Sequence, residues 1–234
     1  MSRVRGMAFT GESVRAILAG RKTQTRRVVR PQPPNRHIEE CLTDHRTTWQ
    51  LPLGQSNPCF LDSNGEHYAP RYQPGDIVYV REALVRGDRI EAPAPLVEKA
   101  FYRADATIVL QGDTEEGESL VDWEWNRPVL SARFMPRWAA RIWLEVTGVR
   151  AEWLQDISEE DAGAEGLLSI VWPFPGAPRR IFSRSVDDEY YFNSAHEAYR
   201  AMWDALHARD GHTSDTNPLV WVYTLKLAAR KEGA

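Results

Sequence analysis

Residues 141–147 alternate between two faces: Ile142, Leu144 and Val146 form one row, and Trp143, Glu145 and Thr147 the other. A period of two is the mark of a strand, and here it is the strongest local signal in the chain. Gly148 is expected to mark a bulge or bend in it. Gly75-Asp76 makes a turn into a second strand, where Ile77, Tyr79 and Arg81 oppose Val78, Val80 and Glu82. Asn217-Pro218 leads into a closing strand over 219–226, and Ala100 to Ala104 reads as a further short one. A chain marked mainly by strands must pair them, so the fold is built on a sheet.

The helices are few and announce themselves by caps. Thr10 caps a short first helix with Val14, Ile17 and Leu18 on its apolar stripe, and Gly20 is placed to end it in the left-handed conformation. Ser158 opens a capping-box-like SEED before a helix reaching about Gly166. Ser194 with Glu197 opens another, whose buried face carries Ala195, Ala198, Tyr199, Met202, Trp203 and Leu206. Between these elements run aperiodic, proline-rich excursions. The expected fold is α+β: a small mixed β-barrel with helices at its rim and long inserted loops. It reads as a single domain over 1–234, with insertions at about 31–74, 84–128 and 168–192.

Charge is unevenly spread. Residues 1–30 hold eight Arg/Lys and one acid, a balance of +7, in a chain of 234 residues and net charge −4. Residues 111–126 hold six acids and no base, and read as a loop. This pattern suits a phosphate-bearing ligand at one place, or arginines paired to acids on a solvated face; it disfavours tracking along a duplex. No apolar run approaches about 18 residues, so no membrane partner is expected. The first residues lack the apolar core of a secretory signal. Two cysteines make no disulfide framework, and a cytoplasmic setting is expected. Cys41, His45, Cys59 and His67 have some look of a zinc site, but their spacing fits no standard pattern, and no metal or cofactor is expected. His196 and His207 read as surface residues.

The polar run Arg21-Lys22-Thr23-Gln24-Thr25-Arg26-Arg27 directly follows the first helix and makes a poor core segment. A Thr hydroxyl becomes a nucleophile when a base takes its proton. A lysine can be that base if burial or neighbouring cations lower its pKa, and Arg21, Arg26 and Arg27 supply such a field. An arginine or backbone N–H can then stabilise an oxyanion. In a fully extended strand Lys22 and Thr25 point to opposite faces, so convergence requires a bend. Trp138 and Trp221 read either as ring-stacking residues or as core, and Glu82 either enters the pocket or makes a cross-strand ion pair.

The stretch from Leu18 to Arg27 resembles the signature G-x-K-x-x-T-x-R of the ASCH domains, a branch of the PUA-like β-barrel superfamily. GDIVYVRE, RIWLEVTGVRAEWLQDISEEDAGAEG and NPLVWVYTLKL resemble further family stretches in the same order, over about half the chain. The MPRWA run at 135–139 is similar to longer forms carried by phages and prophages. The LAGRKTxTxR run also resembles that of bacterial acetylcytidine amidohydrolases. This resemblance implies a catalytic group of Lys22, Thr25 and Glu165; the Ala-x-x-Ala-Glu register selects Glu165 over Glu159 and Glu160. It implies Arg27 and Arg26 as substrate-binding residues, with Glu82 and Trp138 as further candidates. The implied activity removes the acyl group from the exocyclic nitrogen of an N4-acylated cytosine nucleoside or base, without a cofactor. The alternatives are a non-catalytic RNA or modified-base binding module, or a ribonuclease. The partner is then a small nucleoside or nucleobase, or RNA.

Overall fold

A computed structural model describes residues 4–33, 60–61, 67–90, 97–111, 119–120, 125–172, 179–185, 188 and 190–229. In chain order the elements are β1 (Val4–Ala8), α1 (Gly11–Leu18), β2 (Gln24–Val28), β3 (Phe60–Leu61), β4 (His67–Tyr68), β5 (Ile77–Arg81), β6 (Leu84–Ile90), β7 (Val97–Tyr102), β8 (Leu110–Gln111), β9 (Ser119–Leu120), β10 (Val129–Leu130), β11 (Trp143–Trp153), α2 (Glu159–Ala164), β12 (Leu168–Trp172), β13 (Arg179–Ser183), α3 (Ala195–His207) and β14 (Leu219–Ala228). The fold is mixed α+β with few helices. The largest sheet has the strand order β1-β5-β11-β14-β2, so the strands expected at 76–82, 141–147 and 219–226 share it. As described, that order has two edge strands, β1 and β2.

The chain divides into two compact units. The first comprises 1–20, 77–144 and 227–234, and the second 21–76 and 145–226. In the first, β1 pairs in parallel with β5, from Val4 opposite Ile77 to Ala8 opposite Arg81. The sequence reading missed β1, because five residues broken by Arg5 and Gly6 carry little pattern. A Cβ at Gly6 would stand 2.7 Å from Tyr79 Cζ and 2.8 Å from Arg81 Cδ, so a larger residue there would make those two side chains shift. Helix α1 begins and ends as its caps dictate. Thr10 Oγ1 accepts the Ser13 N–H at 3.2 Å, and Gly20 has φ +70. Val14 and Ile17 are buried, but Leu18, expected on the same stripe, is 48% exposed. Strand β6, unmarked in the sequence, pairs antiparallel with β7 and β10. Leu84, Ala100, Tyr102, Leu130, Met135 and Trp143 make the core of this unit.

The second unit holds the ladder β11-β14-β2. β14 runs antiparallel to β2, with Tyr223 opposite Thr25 and Trp221 opposite Arg27. Leu219 to Tyr223 are all buried, so this strand has core on both faces. β11 runs through Gly148, where a Cβ would meet only Thr224 at an ordinary 3.5 Å. The stretch 168–192, read as an irregular excursion, contains the antiparallel pair β12 and β13. Its Pro-rich centre hid the pairing. Helix α3 buries Ala195, Ala198, Tyr199 and Trp203, whereas Leu206 in its last turn is 52% exposed. Its cap is as expected: Ser194 Oγ accepts the Glu197 N–H at 3.1 Å. Ser194→Ala should therefore cost about 1 kcal/mol in urea unfolding, with the midpoint shifted and the slope unchanged.

Most of 31–74 and of the acidic stretch 111–126 lies outside the described residues, as do Cys41, His45 and Cys59. Among the described residues no group of three or more His, Cys, Asp or Glu is arranged to hold a metal. Among them, too, no helix is long and apolar enough to cross a membrane.

Candidate functional site

The polar run after α1 is laced to helix α2, entirely within the second unit. Ser158 starts α2 by accepting the Asp161 N–H at 3.1 Å. Glu165 caps its end, and Gly166 follows at φ +104, a conformation that suits glycine. Residues 21–24 then run along this helix end. Arg21 Nη1 donates to Gly166 O at 2.6 Å, and the Thr23 N–H to Ala164 O at 2.9 Å. Lys22 and Glu165 form an isolated antiparallel bridge, and Gln24 Nε2 donates to Asp161 Oδ1 at 2.7 Å.

At the centre are three buried charges. Lys22 Nζ donates to Glu165 Oε2 at 2.5 Å and to the Glu165 carbonyl at 2.9 Å. Arg26 Nη1 donates to the other carboxylate oxygen, Oε1, at 3.0 Å. The side chains of Lys22, Glu165 and Arg26 are 3%, 4% and 0% exposed. Charges so far from water persist only when paired and hydrogen-bonded. Arg26 meets that condition with two more carboxylates: Glu152 Oε1 at 2.7 Å and Asp161 Oδ2 at 3.3 Å. Arg150, half-exposed, reaches both of these acids, at 3.0 and 2.5 Å. Arg26 Cζ also stands 5.7 Å from the Tyr199 ring centroid.

Burial pushes the Lys22 ammonium below its ordinary value of 10.5; Glu165 opposes the shift, and Arg27 and Arg26 add to it. Arg26 is desolvated too, but Glu165, Tyr199 and Glu152 outweigh that and raise its pKa. Arg27 is half-buried. Burial lowers its pKa against the pull of Glu165, Tyr72, Tyr223 and Tyr199. Burial raises Tyr199 well above its ordinary value and pushes Tyr223 up to about 12, so both are neutral hydroxyls. Tyr72 and Tyr223 meet edge-on, with ring centroids 5.5 Å apart. The site thus joins a desolvated amine, two guanidiniums and aromatic walls.

Lys22, Arg26 and Glu165 come together. Thr25 is buried on β2 opposite Tyr223 and takes no part in the ammonium's hydrogen bonds, both of which go to Glu165. Of the three glutamates near α2, Glu165 is the one paired with Lys22. Glu159 instead accepts the Ala195 N–H at 2.7 Å and the His196 N–H at 3.3 Å. Arg26, expected to bind substrate, has its guanidinium committed to three carboxylates. Glu82 and Trp138 belong to the first unit. Glu82 is 1% exposed and takes the cross-strand alternative: Arg141 Nε and Nη2 donate to its two oxygens at 2.9 and 2.8 Å. Trp138 is 38% exposed, whereas Trp221 is buried in β14. His207, read as a surface residue, is half-buried and stacks on Trp203 at 3.9 Å. Glu152, Asp161 and Tyr199 went unnoticed as site residues. Only the capping position of Asp161 and the apolar-face position of Tyr199 were visible, and neither signals a charge network.

Comparison of the chain with protein-family models, with characterised proteins and with solved structures finds no match.

Proposed function

We propose that this chain is an amidohydrolase that cleaves the acyl group from the exocyclic nitrogen of an N4-acylated cytosine nucleoside or base. The observation that carries the reading is the buried Lys22–Glu165 pair, with Thr25 three residues away on the adjoining strand. A lysine with a depressed pKa is suited to act as a base, and a solvated surface lysine is not. The resemblance of the 18–27 run to ASCH domains supports the same reading, and with it a PUA-like barrel.

In the proposed reaction, the Thr25 hydroxyl oxygen attacks the acyl carbon while its proton passes to the neutral Lys22 amine. The oxyanion of the tetrahedral intermediate is stabilised by the Arg27 guanidinium. The carbon–nitrogen bond then breaks, and the Lys22 ammonium returns its proton to the leaving exocyclic nitrogen. The same amine then takes a proton from water, the hydroxide adds to the acyl carbon, the bond to Thr25 Oγ1 breaks, and the ammonium returns its proton to that oxygen, releasing a carboxylic acid. Glu165 holds the amine and assists its proton transfers, and Arg26 holds Glu165. Incubating the protein with N4-acetylcytidine and following the ultraviolet change to cytidine tests the activity. A parallel RNA-degradation assay tests the ribonuclease alternative; intact acetylcytidine together with cleaved RNA would replace the proposal.

The pH dependence has a definite sign. Below its folded pKa Lys22 is an ammonium and accepts no proton, so kcat/KM should rise with pH through an inflection below 10.5 and level off above it. A flat or falling profile would remove Lys22 from the role of base. A nucleoside carries no phosphate, so turnover should also be nearly independent of salt.

A further inference from the structure

We infer that Tyr223 is a further catalytic residue of the site, its phenolic hydroxyl donating to the oxygen that turns negative when Thr25 adds to the acyl carbon. The inference rests on the amidohydrolase reading and extends it. In an antiparallel ladder, residues directly opposite one another project on the same face. Tyr223 stands opposite Thr25, and Trp221 opposite Arg27. Residues two apart on one strand also share a face. One face of β2 and β14 therefore carries the proposed nucleophile, the proposed cationic partner of the oxyanion, and two aromatic rings. The Tyr223 hydroxyl adds to that face a neutral donor on the strand next to the nucleophile.

The surroundings of the hydroxyl leave it one role. Tyr223 is 1% exposed, and its ring meets the buried Tyr72 ring edge-on, with centroids 5.5 Å apart. The backbone N–H groups of Tyr72 and Arg71 both donate to its oxygen. A phenolic oxygen that already accepts two bonds has only its own proton left to give. Those two bonds also polarise the O–H and make it a stronger donor, as in any hydrogen-bond chain. Among the described residues nothing accepts that proton. A buried donor ordinarily has an acceptor, and the tetrahedral intermediate brings one. Burial pushes the Tyr223 hydroxyl up to about 12, so the proton stays on the phenol: it stabilises the oxyanion by a hydrogen bond and is not transferred. Arg27 supplies charge, and Tyr223 a bond of fixed direction, held in place before the reaction begins.

The test compares the full-length protein with Tyr223→Phe and with a protein in which a ring-fluorinated tyrosine replaces Tyr223, all near neutral pH. Rates are measured on N4-acetylcytidine. Binding is measured by calorimetry with the methylphosphonamidate of cytidine, whose tetrahedral anion stands in for the intermediate. Tyr223→Phe should lower kcat by about 10²- to 10³-fold with KM little changed, the usual cost of one oxyanion donor. It should weaken the phosphonamidate by a similar factor and leave the affinity for cytidine unchanged. Fluorine makes the hydroxyl a stronger donor and a weaker acceptor, so the fluorinated protein should match or exceed the wild-type rate. If the hydroxyl served only to anchor residues 71 and 72, fluorine would lower the rate. The fluorinated protein keeps the ring and its oxygen, so it decides the matter even where Tyr223→Phe loses structure by circular dichroism. A folded Tyr223→Phe protein with wild-type activity overturns this inference alone, as does a rate that fluorination lowers. A wild-type protein that neither hydrolyses acetylcytidine nor binds the phosphonamidate removes the amidohydrolase reading, and this inference with it.

Discussion

Lys22→Met and Thr25→Ala should each lower the rate of acylcytidine hydrolysis by about 10²- to 10⁴-fold, the range that a positioned acid–base group supplies. The double variant should be little worse than either single one, because an unactivated hydroxyl and an amine with no hydroxyl to activate fail at the same step. Methionine keeps the apolar stem of Lys22 in its buried site. Glu165 then retains its hydrogen bond from Arg26 at 3.0 Å, so the loss of rate is separable from a loss of fold. The check is the initial rate of cytidine formation, with circular dichroism confirming that each variant is folded. Additive losses would mean that Lys22 and Thr25 act in different steps. Arg27→Ala is expected to lower kcat and kcat/KM together, because its guanidinium meets a full negative charge only once the tetrahedral intermediate forms.

Arg26→Leu should cost about 3–5 kcal/mol of stability, the usual result of removing one member of a buried ion pair. Its side chain is wholly buried, and its loss leaves Glu165, 4% exposed, to Lys22 alone and Glu152 and Asp161 to the half-exposed Arg150. Arg26→Lys should recover only part, because a single ammonium cannot reproduce a planar fork that reaches three carboxylates. The contrast is Arg30, whose bond to Asp210 at 3.0 Å joins side chains 62% and 53% exposed. Arg30→Ala should cost no more than about 1 kcal/mol. Urea unfolding of the three variants checks this. An Arg26→Leu variant as stable as Arg30→Ala would mean that the carboxylates around Arg26 find other partners or water.

Much of this protein was legible before any tertiary contact was known, wherever the signal is local. The caps at Thr10, Ser158 and Ser194 depend on hydroxyls three residues from the N–H groups they satisfy, and all three form as read. The strands at β5 and β11 follow from the alternation of their residues, β14 from a continuous apolar run after Asn217-Pro218, and the end of α1 from the positive φ of Gly20. The spacing of Lys22 and Thr25, and a register favouring Glu165, were also in the sequence. Strands β1 and β6 were not, since each takes its stability from neighbours distant in sequence. Nor were the exposed positions of Leu18 and Leu206, because periodicity defines an apolar stripe without saying how wide a neighbour covers it.

The tertiary structure alone decided which charges meet. Residues 21–27 carry four cations in seven positions, and nothing local distinguishes a solvated arginine from one sealed inside. Packing α2 against this run brings Glu165 to Lys22 and Arg26 across more than a hundred residues of chain, and it turns Arg26 from an expected ligand contact into a clamp on three acids. It likewise gave Glu82 to Arg141. Local propensity depends on neighbours in sequence. Desolvation and Coulomb energy depend on neighbours in space, and only the folded chain determines those.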